Sequence, residues 1–206
     1  VINNPSMVII DSDFLETLPL EEIKSGFSEM IKHSLITGIK YWDSIKLINI
    51  NTFCPGNCFF NSILIKSKIV DNDPFEKGLR KFLNYGHTVG HAIETYCLNT
   101  NSRKDLSHGH SIALGMIIEG HLSTVIHNFN KKLNSEINRF ILINFEKIIF
   151  TDQEIEEIIK LMRFDKKNKN GQINFVLLKT VGEPVFDQKV DVNTIKKSFK
   201  FLNEFS

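Results

Sequence analysis

The 206-residue sequence contains 11 glycines but no Gly-x-Gly spacing, so it offers neither the phosphate-cradling loop of a dinucleotide fold nor a Walker loop. No apolar run reaches the roughly 18 residues of a membrane helix, and the stretch from Val1 to Phe14 lacks the basic-then-apolar order of a secretion signal. A cytoplasmic protein is the expectation. An excess of one charge is also missing. With 25 basic and 24 acidic residues the net charge is +1, which disfavours nucleic acid and anionic membrane as partners. Cysteines are few and odd in number. Cys54 and Cys58 have the spacing of a zinc or redox pair, but no second Cys or His pair lies close by to complete a site, so loop and core roles are expected.

What is present is an ordinary globular composition, 42% hydrophobic, with no repeat and no linker-like tract, so one domain is the simplest organisation. Apolar periodicity and punctuation predict helices over about 20–37, 57–71, 84–97, 107–126, 131–147, 152–163 and 191–203. Strand signals are confined to Met7–Ile10 and to Ile173–Leu178, which follows a turn at Gly171. Both are short, and the opening apolar run reads as though cut from a longer chain with which it would pair. The expected fold is mainly α and multihelical, with a few short strands.

Titratable residues gather in three places. In Asn84-Tyr85-Gly86-His87-Thr88-Val89-Gly90-His91-Ala92-Ile93-Glu94, helical geometry puts His87 and His91 about 40° apart with Glu94 beside them. Two neutral imidazoles one turn apart suit a divalent metal or a shared substrate, and equally a merely exposed or hydrogen-bonded pair. His108-Gly109-His110 precedes an apolar helical run, and Asp105 and Ser107 before it place His108 near the helix N-terminus. Glu29 and Lys32 lie one turn apart, the ordinary spacing of a solvated ion pair.

Five blocks in order make the combination specific. They are Asp11-x-Asp13-Phe14-Leu15-x-Thr17-Leu18-Pro19; Gly26-x-x-Glu29-x-Ile31-Lys32; Glu76-x-Gly78-Leu79-Arg80-x-x-Leu83-Asn84-x-Gly86-His87-Thr88-x-Gly90-His91-Ala92-Ile93-Glu94; His108-Gly109-x-x-Ile112-Ala113-x-Gly115-Met116; and Asp165-Lys166-Lys167. This pattern resembles the 3-dehydroquinate synthases, from about Met7 to Leu178. The part matched is that family's C-terminal metal-binding domain. The family's N-terminal NAD-binding domain precedes this point and is absent from these residues.

The resemblance implies a Zn2+ or Co2+ ion held by Glu29, His87 and His108, and NAD+ contacted from this half by Phe14, Leu15, Glu16, Thr17 and Ser25. It implies a sugar phosphate substrate, 3-deoxy-D-arabino-heptulosonate 7-phosphate, met by Lys32, Lys66, Arg80, Asn84 and Lys166, with Lys167 the alternative to Lys166. His91 becomes an acid/base group beside the metal, and Glu76 another. Asp73-Pro74-Phe75-Glu76 also reads as a helix start, with Asp73 the cap and Glu76 the third helical residue. The pattern departs from the family at His110, where Glu is usual, and at His33-Ser34, where Tyr-Gly is usual. Extra residues around 99–105 leave His110 as an alternative ligand to His108. Another sugar-phosphate cyclase, a polyol dehydrogenase of the same superfamily, and a non-catalytic helical fragment are the rival readings. The many apolar helix faces and 17 phenylalanines permit a homodimer without locating it.

Overall fold

A computed structural model describes residues 5–50, 57–100, 106–164 and 173–205. Eight α-helices and one β-hairpin are described: α1 (Leu20–Thr37), α2 (Ile39–Ile45), α3 (Asn57–Asn72), α4 (His87–Asn99), α5 (His108–His127), α6 (Lys131–Asn144), α7 (Asp152–Phe164), β1 (Asn174–Thr180), β2 (Glu183–Lys189) and α8 (Val192–Glu204). Two 3-10 helices, Ser12–Thr17 and Leu79–Asn84, lead into α1 and α4.

The ends of the helices follow from local chemistry. Ser107 caps α5 by accepting the His110 N–H, and Asn130 and Asp191 do the same for α6 and α8. Glu21 and Glu22 place negative charge at the α1 N-terminus, where the helix dipole favours it. Gly38, at φ 147°, stops α1 and starts α2 at once.

Helix α5 is apolar on all sides and runs through the centre, touching α1, α4, α6, α8 and β1. Ile112, Leu114, Ile117, Ile118 and Leu122 along it are fully buried, each worth about 1.5–3 kcal/mol of burial. Helices α4 and α5 approach so closely that their glycines touch backbone. A Cβ on Gly115 would lie 2.1 Å from the Gly86 carbonyl oxygen, and one on Gly90 would lie 2.9 Å from Ile112 Cα.

Strands β1 and β2 pair antiparallel, and Phe175 to Leu178 bury against the core. The Gly182 N–H donates to the Leu35 carbonyl at 2.8 Å, tying the hairpin turn to α1.

The seven expected helices are present within a few residues. Helix α4 starts at His87 rather than 84, because a 3-10 turn occupies 79–84. Helix α6 ends at Asn144 rather than 147, where Phe145 leaves the helix for the core. Met7–Ile10 is not a strand: it has no ladder partner among the described residues, and its side chains are 51–84% exposed. The helix expected to start at Asp73 does not form. The Asp73 carboxylate instead accepts the backbone N–H groups of Lys77, Gly78 and Arg80, closing a loop, and Glu76 sits in the left-handed region at φ 54°. No described helix is long and apolar enough to cross a membrane.

Candidate active site

Helices α1, α4 and α5 converge on three imidazoles and a carboxylate. His87 and His91 lie one turn apart on α4, and His108 is the first residue of α5. One nitrogen from each of the three lies within 4.8 Å of the others. Glu29 of α1 joins them through His87, with Oε1 at 3.5 Å from His87 Nε2. The geometry therefore groups His91 with His87 and His108 as tightly as it groups those two with each other.

Proton placement follows from the partners. His87 Nδ1 is 3.1 Å from the Tyr85 carbonyl and His108 Nδ1 is 3.0 Å from Glu94 Oε2. A carbonyl or carboxylate oxygen can only accept, so both contacts put a proton on Nδ1, and in a neutral ring the lone pair then lies on Nε2. Carboxylates and carbonyls behind metal-binding histidines act in this way.

Burial and the neighbouring Lys32 charge hold His87 at about 3, against the pull of Glu29, so its ring is neutral at pH 7. Glu29 is pushed up by burial but held at about 2 by Lys32 and His87, and is ionised. Lys32, itself 2% exposed, donates to Glu29 Oε2 at 2.7 Å. Glu29 Oε1 is buried and accepts no hydrogen bond.

This donor set fits a divalent cation. A neutral Nε2 and an ionised Oε1 present lone pairs to each other, which repel unless a cation lies between them. Two tetrahedral zinc ligands are about 3.4 Å apart, close to the 3.5 Å found.

Two cavities are lined in part by the helices that carry the cluster, the first by α1 and the second by Thr88 of α4. One, about 210 Å³, lies between the 12–17 turn, α1 and α3, walled by Leu15, Leu18, Phe27 and Phe59 and reached by Glu29, His33 and Lys66. His33 Nδ1 is 2.6 Å from Ser62 Oγ, while Nε2 is buried without a hydrogen-bond partner. The other, about 340 Å³, is lined by Glu76, Lys81, Asn84, Thr88 and Asp187 beside β1. Asn84 Nδ2 donates to Glu76 Oε1 at 2.6 Å. Glu76 and Asp187, both non-glycine residues at positive φ, line this one cavity. Strain of that kind concentrates at functional sites.

The remaining site candidates are more scattered. Phe14, Glu16 and Thr17 stand on the exposed 3-10 turn, and only Leu15 reaches a cavity. Ser25 Oγ accepts the Gly109 N–H where α1 crosses α5. Arg80 Nη1 donates to the Pro74 carbonyl. Lys166 and Lys167 lie outside the described residues, as does Cys54. His110 turns away from the cluster, its Nε2 2.7 Å from the Glu146 carbonyl, and it is His108 that stands with His87 and His91. Glu119, which closes the N-terminus of α4, carried no signal in the sequence, sitting as one acid in an apolar run.

Known proteins match this chain over nearly its whole length. The chain is 38% identical over 205 residues to a 3-dehydroquinate synthase of Parabacteroides distasonis, covering 97% of this chain and 57% of that one. It is 35% identical to the 3-dehydroquinate synthase of Pelagibacter ubique, covering 95% and 55%. The chain thus spans just over half the length of the curated relatives it matches. Among solved structures it superposes on 2-deoxy-scyllo-inosose synthase complexed with carbaglucose-6-phosphate, NAD+ and Co2+ (TM-score 0.73, 22% identity, 95% of this chain and 55% of that one). It also superposes on 2-epi-5-epi-valiolone synthase from Streptomyces hygroscopicus subsp. jinggangensis 5008 with NAD+ and Zn2+ bound (TM-score 0.79, 16% identity, again 95% and 55%). At these identities the two structures establish the fold. The family model for the 3-dehydroquinate synthase C-terminal domain matches residues 26–168, which hold Glu29 and all three clustered histidines, and the chain belongs to that family.

Proposed function

We propose that this chain is the metal- and substrate-binding half of a 3-dehydroquinate synthase. That enzyme is a lyase converting 3-deoxy-D-arabino-heptulosonate 7-phosphate to 3-dehydroquinate and phosphate on the shikimate route to aromatic amino acids. The observation that carries the proposal is the facing pair of His87 Nε2 and Glu29 Oε1, with His91 and His108 alongside.

Glu29, His87 and His108 would hold Zn2+ or Co2+, whose Lewis acidity favours ionisation of a substrate hydroxyl. NAD+ would supply the hydride acceptor, touched from this half along Phe14–Thr17 and Ser25. With no glycine loop here, most of its contacts would come from an N-terminal α/β half such as the longer relatives have room for.

The chain's own groups divide the remaining work. His91, within the cluster, would move a proton at the reacting carbon or its hydroxyl. Glu76, which lines the second cavity and accepts from Asn84, would be a further carboxylate for proton transfer. Lys32 keeps Glu29 ionised and adds positive charge where an alkoxide would develop. Lys66 on the cavity wall, Lys166 and Arg80 would meet substrate carboxylate and phosphate. A guanidinium has five donors, so bonding Pro74 does not exhaust Arg80.

The test is phosphate release from the heptulosonate phosphate with saturating NAD+ and zinc. The 206-residue chain is expected to give no turnover alone and to gain it when an N-terminal NAD-binding half is supplied. Multiple turnovers by the chain alone would refute the division of labour. A complete protein that folds and binds zinc but releases no phosphate would refute the substrate, and favour another sugar-phosphate cyclase.

A further inference from the structure

Helix α4 begins with a left-handed glycine, Gly86 at φ 79°, and has no side-chain cap from its own N-terminus. Four N–H groups at such an end need partners. Two of them are met from another helix. Glu119 of α5, 0% exposed, accepts the Gly86 N–H through Oε2 at 2.7 Å and the Val89 N–H through Oε1 at 3.2 Å. In an ordinary capping box two side chains within one segment satisfy the N-cap and third-residue N–H groups. Here one buried carboxylate does both in trans.

That arrangement is costly. A carboxylate moved into the interior loses several kcal/mol of hydration even after relaxation, but Gly86 is itself buried and at positive φ with no room for a Cβ, so no capping side chain can stand at the cap position. What the trans cap adds is a link: it joins the N-terminus of the helix that opens with His87 to the helix that opens with His108. The two clamped N–H groups bracket His87 in sequence. Glycines hold the same junction at backbone contact, since a Cβ on Gly86 would lie 3.1 Å from the Ile112 carbonyl oxygen and one on Gly115 would lie 2.8 Å from Gly90 N. Rotation or sliding of α4 on α5 at this point would carry His87 away from both Glu29 and His108.

We infer that Glu119 is a positioning residue of the histidine site, fixing through its two backbone hydrogen bonds where His87 stands relative to His108. The inference rests on the proposed reading that these histidines hold a divalent cation. Loss of one outer partner of a metal-binding histidine typically costs about 10–100-fold in affinity.

The experiment titrates the metal-free 206-residue chain with Co2+, reading affinity and the visible d–d spectrum, and records thermal unfolding alongside. Glu119→Gln keeps the shape but turns an NH2 group toward one N–H; Glu119→Asp keeps the charge but withdraws it by one methylene. Both are expected to bind Co2+ at least 10-fold more weakly, with a changed d–d band, while remaining folded. Wild-type affinity and spectrum in a folded Glu119→Gln, accompanied only by a lower melting temperature, would reduce Glu119 to a structural cap and overturn the inference. If Glu119→Gln unfolds, Glu119→Asp is read by the same criteria. His87→Ala separates the two levels: tight binding in wild type that survives His87→Ala refutes the underlying reading, whereas binding lost in His87→Ala but unchanged in both Glu119 variants refutes the inference alone. A wild-type chain that binds no Co2+ overturns both.

Discussion

His87 Nε2 and Glu29 Oε1 face each other at 3.5 Å, one a lone pair and the other an anionic oxygen that accepts no hydrogen bond. A shared cation removes the repulsion between them, so both groups are expected to dominate metal affinity. In Co2+ or Zn2+ titrations of the metal-free chain, His87→Ala, His108→Ala and Glu29→Ala should each exceed the roughly 10–100-fold loss typical of an outer partner. His91→Ala should fall below about 10-fold. His91→Ala as damaging as His87→Ala would replace the carboxylate-containing ligand set by the three-histidine set that the 4.8 Å grouping also allows.

Acid should destabilise the metal-free chain through His33. Its burial, together with the nearby Lys32 and Lys66 charges and against that of Glu29, lowers its pKa from 6.5 to about 4. A depressed histidine binds more protons unfolded than folded, so its contribution is complete above pH 6.5 and is lost as pH falls toward 4. Between pH 7.5 and 5 this amounts to about 2 kcal/mol. Urea unfolding at the two pH values should show a smaller decrease in His33→Phe than in wild type; identical decreases would mean that His33 titrates normally.

Helix contact at Gly115 admits no side chain. Gly115→Ala places a methyl 2.1 Å from the Gly86 carbonyl, with backbone on both sides unable to yield locally. A loss of about 1–3 kcal/mol in urea unfolding is expected, as for other overpacked sites, together with weaker Co2+ binding as α4 is pushed off α5. Gly26→Ala, where a Cβ would meet nothing within 4 Å, is the matched control.

The strain at Glu76 separates stability from function. Glu76→Ala and Glu76→Gly both lose the bond from Asn84, but only glycine relieves the left-handed backbone at φ 54°. The glycine variant should be the more stable of the two by about 1 kcal/mol. Both should lack activity in the complete enzyme. Equal stability of the pair would show that the loop holds no strain at this residue.

Much of this architecture was legible because its signals are local. The apolar spacing of α1, α3 and α5 to α8 is long and regular, and Ser107, Asn130 and Asp191 mark the starts of α5, α6 and α8. Helix α2 leaves little local signal, being seven residues long and separated from α1 only by Gly38. Strand β2 includes Pro184 and three charged residues, Glu183, Asp187 and Lys189, and takes its strand form from pairing with β1, a non-local cause. Asp73 and Glu76 illustrate a different limit. Their spacing matches a capping box, yet three backbone N–H groups farther along compete successfully for the Asp73 carboxylate. At the candidate site, the residue types could be read from motif blocks. The trans contact of Glu119 and the turning away of His110 depend on which helices touch, and no spacing rule encodes that.

The three clustered histidines also bear on the order in which the chain acquires structure. His87, His91 and His108 come from helices adjacent in sequence, and the α4–α5 pair forms the most extensive helix-to-helix contact in the described chain. Contacts between near neighbours close short loops and form fast. Glu29 arrives from α1, far upstream, and is the late component. An ion could therefore be captured by the imidazoles of a half-folded α4–α5 hairpin, then enclosed when α1 docks and delivers the carboxylate. Metal present during refolding should accelerate formation of that hairpin, making the ion a nucleating template as well as a later occupant.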